Sequence, residues 1–86
     1  MRVSVNRTDA GYSQYAYVRA AGKRVYVTFN GERQTAVITA DSDCGMIVRL
    51  LTDAKGDFIF DRDRRAFQDE VLHGKVEIDL YDEVIL

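Results

Sequence analysis

The chain has no proline and no tryptophan, and only one cysteine and one histidine among 86 residues. Each scarcity excludes something. Without proline there is no polyproline segment and no slow prolyl isomerisation. A lone Cys44 cannot form an intrachain disulfide, so nothing covalent supports a core that so short a chain keeps thin. That usage predicts a reducing, cytoplasmic setting. Cys44 and His73 by themselves make neither a CxxC nor an HxxxH set, so no zinc site and no Cys–His nucleophile is expected. Apolar runs such as Met46-Ile47-Val48 are three residues long, whereas a membrane helix needs about 20. The start, Met1-Arg2-Val3-Ser4-Val5-Asn6-Arg7, lacks the apolar stretch of a signal peptide. No membrane association is expected.

What remains is an ordinary globular composition. Apolar residues make up 47% and charged residues 30%, enough apolar surface to offset chain entropy in a single domain spanning residues 1–86. The net charge of −2 argues against a dedicated nucleic-acid binder. The charge is polarised. Residues 1–65 carry eleven cations against eight acids, a balance of +3, while residues 66–86 carry Lys75 against six acids, a balance of −5. Such an acidic end is a solvated face or a docking surface for basic partners.

Period-two alternation dominates. Arg2 to Asn6 alternates as a short strand. Tyr12, Tyr15, Ala16 and Arg19 then recur at helical spacing, which predicts a helix over residues 10–20, capped by Thr8 or Asp9 and ended by Gly22. Val25, Val27 and Phe29 alternate with polar residues, as do Ala36, Ile38 and Ala40. A two-residue turn fits at Asn30-Gly31 or at Gly31-Glu32. The second choice sets Val25 against Ile38 and Val27 against Ala36, apolar on apolar, and is the preferred register. Met46 to Leu51 is apolar on both faces save for Arg49, which predicts the most buried strand. Asp53-Ala54-Lys55-Gly56 reads as a type I turn closed by a left-handed glycine. Phe58-Ile59-Phe60 reads as a fourth strand, residues 64–72 as short helical turns or an extended loop, and Lys75 to Leu80 as a strand that the tail to Leu86 extends. The fold expected is mainly β (α+β): a small, largely meandering antiparallel sheet of about five strands with one short helix.

Catalytic and metal motifs are weak. Asp41-Ser42-Asp43-Cys44-Gly45 contains a fragment of a calcium loop, but its glycine falls at position 5 and Thr52 at position 12, so the turn reading prevails. No cofactor is expected. The residues that stand out are aromatic and cationic. Tyr12, Tyr15 and Tyr17 lie in one segment, followed by Arg19, Lys23 and Arg24. Tyrosine and arginine dominate protein-binding hot spots. The plainer reading packs two of the three tyrosines on the sheet and leaves the third exposed. Arg62, Arg64 and Arg65 form a second cluster, offset by Asp61 and Asp63, which is a solvated loop or a partner contact. Val84-Ile85-Leu86 resembles a short carboxylate-terminated ligand, or simply strand extension.

Several stretches resemble, in the same order over most of the chain, small proteins encoded by tailed bacteriophages and prophages. They are Val5-Asn6-Arg7-Thr8-Asp9-Ala10-Gly11-Tyr12, Phe29-Asn30-Gly31-Glu32, Val37-Ile38-Thr39-Ala40-Asp41, Asp53-Ala54-Lys55-Gly56-Asp57 and Gly74-Lys75-Val76-Glu77-Ile78. Ala10 departs from the proline of that pattern, and Cys44 from its usual acidic residue. The resemblance implies a phage or prophage origin and carries no catalytic or binding residue. The expectation that follows is a non-enzymatic accessory factor that binds a host or phage protein through Tyr12, Tyr15, Tyr17, Arg19, Arg62, Arg64 and Arg65. Open strand edges also suit β-augmentation or homodimer formation by such a factor. The alternatives are a structural or assembly component of a phage particle, and a small enzyme or nucleotide-binding module.

Overall fold

The computed structural model describes residues 1–83. Mostly antiparallel β-structure with one short helix is what the chain forms. The described residues divide into a four-stranded sheet ordered β1-β4-β5-β8, a three-stranded sheet ordered β3-β2-β9, and a two-stranded hairpin β6-β7. The elements are β1 (Arg2–Ser4), α1 (Tyr12–Ala20), β2 (Lys23–Phe29), β3 (Glu32–Gln34), β4 (Val37–Asp41), β5 (Met46–Leu50), β6 (Phe60–Asp61), β7 (Ala66–Phe67), β8 (Asp69–His73) and β9 (Val76–Asp82). Val84, Ile85 and Leu86, with the ligand and strand-extension readings made for them, lie outside the described residues.

The core forms between the two larger sheets. One row across the four-stranded sheet runs Val3, Ala40, Ile47, Leu72, as the registers Val3↔Ala40, Ala40↔Ile47 and Ile47↔Leu72 require. Val3, Ala40 and Ile47 from that row meet Val27 and Val76 of the other sheet in one buried cluster, with Tyr15, Val25, Phe29 and Ile78 packed around it. Burying these side chains contributes about 1.5–3 kcal/mol apiece. Helix α1 packs on β1 and β2 and buries Val18.

The central hairpin turns at Asn30-Gly31, not at Gly31-Glu32. Val27 faces Gln34 and Phe29 faces Glu32. Asn30 at φ 51° and Gly31 at φ 84° supply the two positive-φ positions of a two-residue hairpin whose twist matches the strands. Apolar matching misjudged the register because Val25 and Ile38 belong to different sheets and line the cleft between them, not one ladder. Ala36 at φ 57° swings the chain out of the three-stranded sheet, and β4 pairs with β1 and β5 instead.

Other local expectations shift as well. Gly11, not Thr8 or Asp9, occupies the helix N-cap, with no side-chain cap bond. A Cβ at Gly11 would stand 2.9 Å from Arg2 Cγ, so only glycine lets the helix start this close to β1. The helix does end at Gly22, whose N–H donates to the Arg19 carbonyl at φ 76°. β4, which buries Thr39 and Ala40, is more enclosed than β5, whose one buried residue is Ile47. The Asp53 to Gly56 turn forms as read, with the Gly56 N–H donating to the Asp53 carbonyl at 3.0 Å and Gly56 at φ 85°. Phe58 makes only an isolated bridge to Thr52, and β6 begins at Phe60. Residues 64–72 are neither helical nor a loop throughout: they close a hairpin and enter β7 and β8.

Candidate interaction site

Three backbone segments meet at one point beyond the end of β5. The Leu51 N–H donates to the Gln68 carbonyl at 2.9 Å, the Ile59 N–H to the Leu51 carbonyl at 3.3 Å, and the Gln68 N–H to the Ile59 carbonyl at 2.8 Å. Each of the three residues therefore bonds to the other two. From this junction run β5 paired with β8, the bridge Thr52↔Phe58, and the hairpin β6–β7. Side chains alternate along every arm. Leu51, Ile59 and Gln68 share one face. Leu50, Asp69, Phe58, Phe60 and Phe67, one residue away from each, share the other.

That second face is apolar and open. Phe58, Phe60 and Phe67 are 47%, 52% and 47% exposed, and Val71, two residues beyond Asp69 on the same side of β8, is 54% exposed. The rings contact edge to face, with centroids 5.4 Å apart for Phe60 and Phe67 and 6.1 Å for Phe58 and Phe67. Such pairs prefer this geometry because a ring's positive edge meets a negative face. Three half-exposed rings present roughly 300 Å² of apolar surface, within the range of the largest, often functional, patch on a monomer.

The four-residue tip Arg62 to Arg65 closes this hairpin. The Asp61 carboxylate accepts the Asp63 and Arg64 N–H groups at 3.0 and 3.3 Å, which shapes the tip and leaves its guanidiniums at the surface. Arg64 approaches Asp61 only to 3.9 Å, and Arg65 sits at φ 52°, a conformation an unbranched residue adopts at some cost. The structure thus joins Arg62, Arg64 and Arg65 to an aromatic cluster that the sequence reading passed over. The signal was there: Phe58, Phe60 and Phe67 are the chain's aromatics nearest that arginine cluster.

The tyrosine segment lies elsewhere, on α1. Tyr15 packs against the core and Tyr12 is half-buried, while Tyr17 alone is exposed, at 74%. Arg19 donates to the Lys23 carbonyl at 3.0 Å and lies 3.7 Å from Glu83. These residues lie on α1, whereas the arginine tip closes β6–β7.

A second aromatic group lies on the outer face of the three-stranded sheet. Tyr26 and Tyr81 meet edge to face at 4.9 Å, Arg33 lies 4.0 Å above the Tyr26 ring, and Asp79 stands opposite Tyr26. They line a groove of about 370 Å³. The cleft between the sheets, about 360 Å³, is walled by Val3, Val5, Val25, Val27 and Ile38.

The Arg2 guanidinium, then the Gly11 N–H, holds the Asp9 carboxyl down at about 2, from an ordinary 3.8. Partial desolvation, then the Asp41 carboxylate, pushes the exposed Cys44 thiol up, opposite to what a nucleophile requires. His73 stands opposite Met46 on β8. Among the described residues no three His, Cys, Asp or Glu side chains group as metal ligands, and no helix is long and apolar enough to cross a membrane.

No protein-family model, curated protein or solved structure matches this chain.

Proposed function

We infer that the chain is a non-enzymatic protein-binding accessory factor of the phage or prophage kind its sequence resembles, acting on a protein in the host cytoplasm. The observation that carries the reading is the Phe58, Phe60 and Phe67 cluster, held open on a hairpin tipped by Arg62, Arg64 and Arg65. Aromatic and arginine side chains together make the strongest protein contacts. At about 25 cal/mol per Å², covering the roughly 300 Å² of ring surface yields about 7 kcal/mol before association costs.

The test compares immobilised wild-type chain with Phe60→Ser/Phe67→Ser and with Arg62→Ala/Arg64→Ala/Arg65→Ala in lysate of the host. One protein retained in proportion to the wild-type chain and lost with both variants supports the reading. Equal retention on all three overturns it. A second reading, a structural or assembly component, is favoured by β9, a seven-residue strand at a sheet edge. Unpaired edges recruit further strands.

A further inference from the structure

We propose that the occupant of the aromatic face is a second copy of this chain, packed across a two-fold axis that passes beside Phe67. The proposal rests on the reading of that face as a binding surface and names its partner.

The first argument is how far the face extends. On the four-stranded sheet, the rows Thr39↔Val48↔Val71 and Met46↔His73 lie on the side away from the core. The β1 and β4 part of that side is covered: Ser4 and Thr39 are buried there. The β5 and β8 part is not. It presents Met46, Val48 and Leu50, half-buried, beside exposed Val71, and continues into Phe58, Phe60 and Phe67. An antiparallel strand with one wet face alternates apolar with polar residues. β5 keeps Met46, Val48 and Leu50 on the side that should be wet. Those residues and the four exposed ones present roughly 450 Å² of apolar surface. A standard interface buries ~800 Å² per partner, of which ~57–65% is apolar, or about 450–520 Å². The face is therefore large enough to form the apolar core of a two-fold contact.

The second argument is charge order. Arg65 precedes Phe67 by two residues, and exposed Asp69 follows it by two. A two-fold contact is isologous: if residue i of one copy meets j of the other, j meets i. With Phe67 at the centre, Arg65 and its neighbour Arg64 of one copy approach Asp69 of the other, twice over. Paired antiparallel with its own copy about Asp79, the edge strand β9 sets Asp79 against Asp79 at its centre, and like charges directly opposite oppose pairing.

The test is sedimentation equilibrium of the full chain over a concentration series. Dimer mass at micromolar concentration supports the proposal. So does its loss in Phe60→Ser/Phe67→Ser at unchanged thermal midpoint. Arg64→Glu/Arg65→Glu and Asp69→Lys each weaken the dimer at least tenfold, and the chain carrying all three changes regains it, since the charges are then exchanged rather than removed. That rescue keeps the test decisive even if one variant is less stable. A photo-crosslinker in place of Phe60 joins to residues 58–71 of the other copy. A monomer at every concentration overturns the proposal, as does a dimer unaffected by the phenylalanine changes, or crosslinks into β9. If the chain is monomeric while the phenylalanine variant still loses a host protein from lysate, the face binds something else: self-pairing fails and the functional reading stands.

Discussion

Arg2 Nε and Nη2 donate to the two carboxylate oxygens of Asp9 at 2.9 and 2.7 Å, so a strand side chain grips the loop that leads into the helix. Arg2 Nη1 reaches Asp41 at 3.3 Å, and Asp9 Oδ1 also accepts the Gly11 N–H at 2.7 Å. One guanidinium thereby joins β1, the turn into α1 and the end of β4. Its planar fork suits this bidentate grip as a lysine would not.

The pH dependence follows. Because the folded chain holds Asp9 at about 2 instead of 3.8, its stabilisation is fully present above the unfolded value and is lost as pH falls from there through the folded one. Asp9→Asn lowers the melting temperature at neutral pH and flattens the acid limb of the curve of melting temperature against pH. Circular-dichroism melts of both proteins check this. Parallel acid limbs would remove Asp9 from the account.

Gly45 sits at φ 70°, and a Cβ there would collide with the Gly74 carbonyl oxygen. The Gly74 N–H donates to the Gly45 carbonyl at 2.9 Å, so the two backbones are locked in contact. Gly45→Ala costs about 2–4 kcal/mol, combining positive-φ strain with the steric shift. Gly56→Ala, at φ 85° with open space around it, carries only the conformational strain and costs about 1–2 kcal/mol. Urea titrations of the two variants test the ranking.

The buried hydroxyls of Ser4 and Thr39 bond each other at 2.8 Å, and Ser4 Oγ also accepts the Asn6 N–H at 3.1 Å. Thr39→Val leaves one hydroxyl without its partner and costs about 1–3 kcal/mol. Ser4→Ala costs a similar amount, and the double variant less than the sum, by about 0.5 kcal/mol or more. Additive losses would show that the pair is not coupled.

Cys44 should alkylate slowly. Its thiol is raised by desolvation first and by Asp41 second, so the thiolate is scarce near neutrality. The rate of iodoacetamide modification rises with pH without levelling off below the ordinary thiol range. Asp41→Asn shifts that profile to lower pH. An unchanged profile in that variant would discount the carboxylate.

Replacing Phe60 and Phe67 by serine should leave folding nearly intact. Both rings are about half exposed and outside the buried cluster, so the pair together costs about 1 kcal/mol or less. Thermal melts check it, and a cooperative loss of several kcal/mol would assign the rings to the fold instead of to binding.

Local signals were legible where one segment settles its own conformation. Alternation found β1, β2, β4 and β9, a short apolar run found β5, and helical spacing placed α1 within its expected span. Of the tyrosines, Tyr15 packs on the core, Tyr12 is half-buried and Tyr17 is exposed. The binding face was not legible. Phe58, Ile59 and Phe60 read only as a fourth strand, and the junction through Leu51, Ile59 and Gln68 places both phenylalanines on the open side. Hydrophobicity marks which residues gain from burial, not whether the fold has room for them.

The sequence by itself determined the β class, the helix and the turn at Gly56, because backbone sterics and side-chain alternation act over a few residues. Only the tertiary structure decided that β1 pairs with β4, that β2 pairs with β9, and that the hairpin tipped by Arg62, Arg64 and Arg65 carries an uncovered aromatic face. Those choices depend on burial shared between segments far apart in the chain, and no short stretch contains that information.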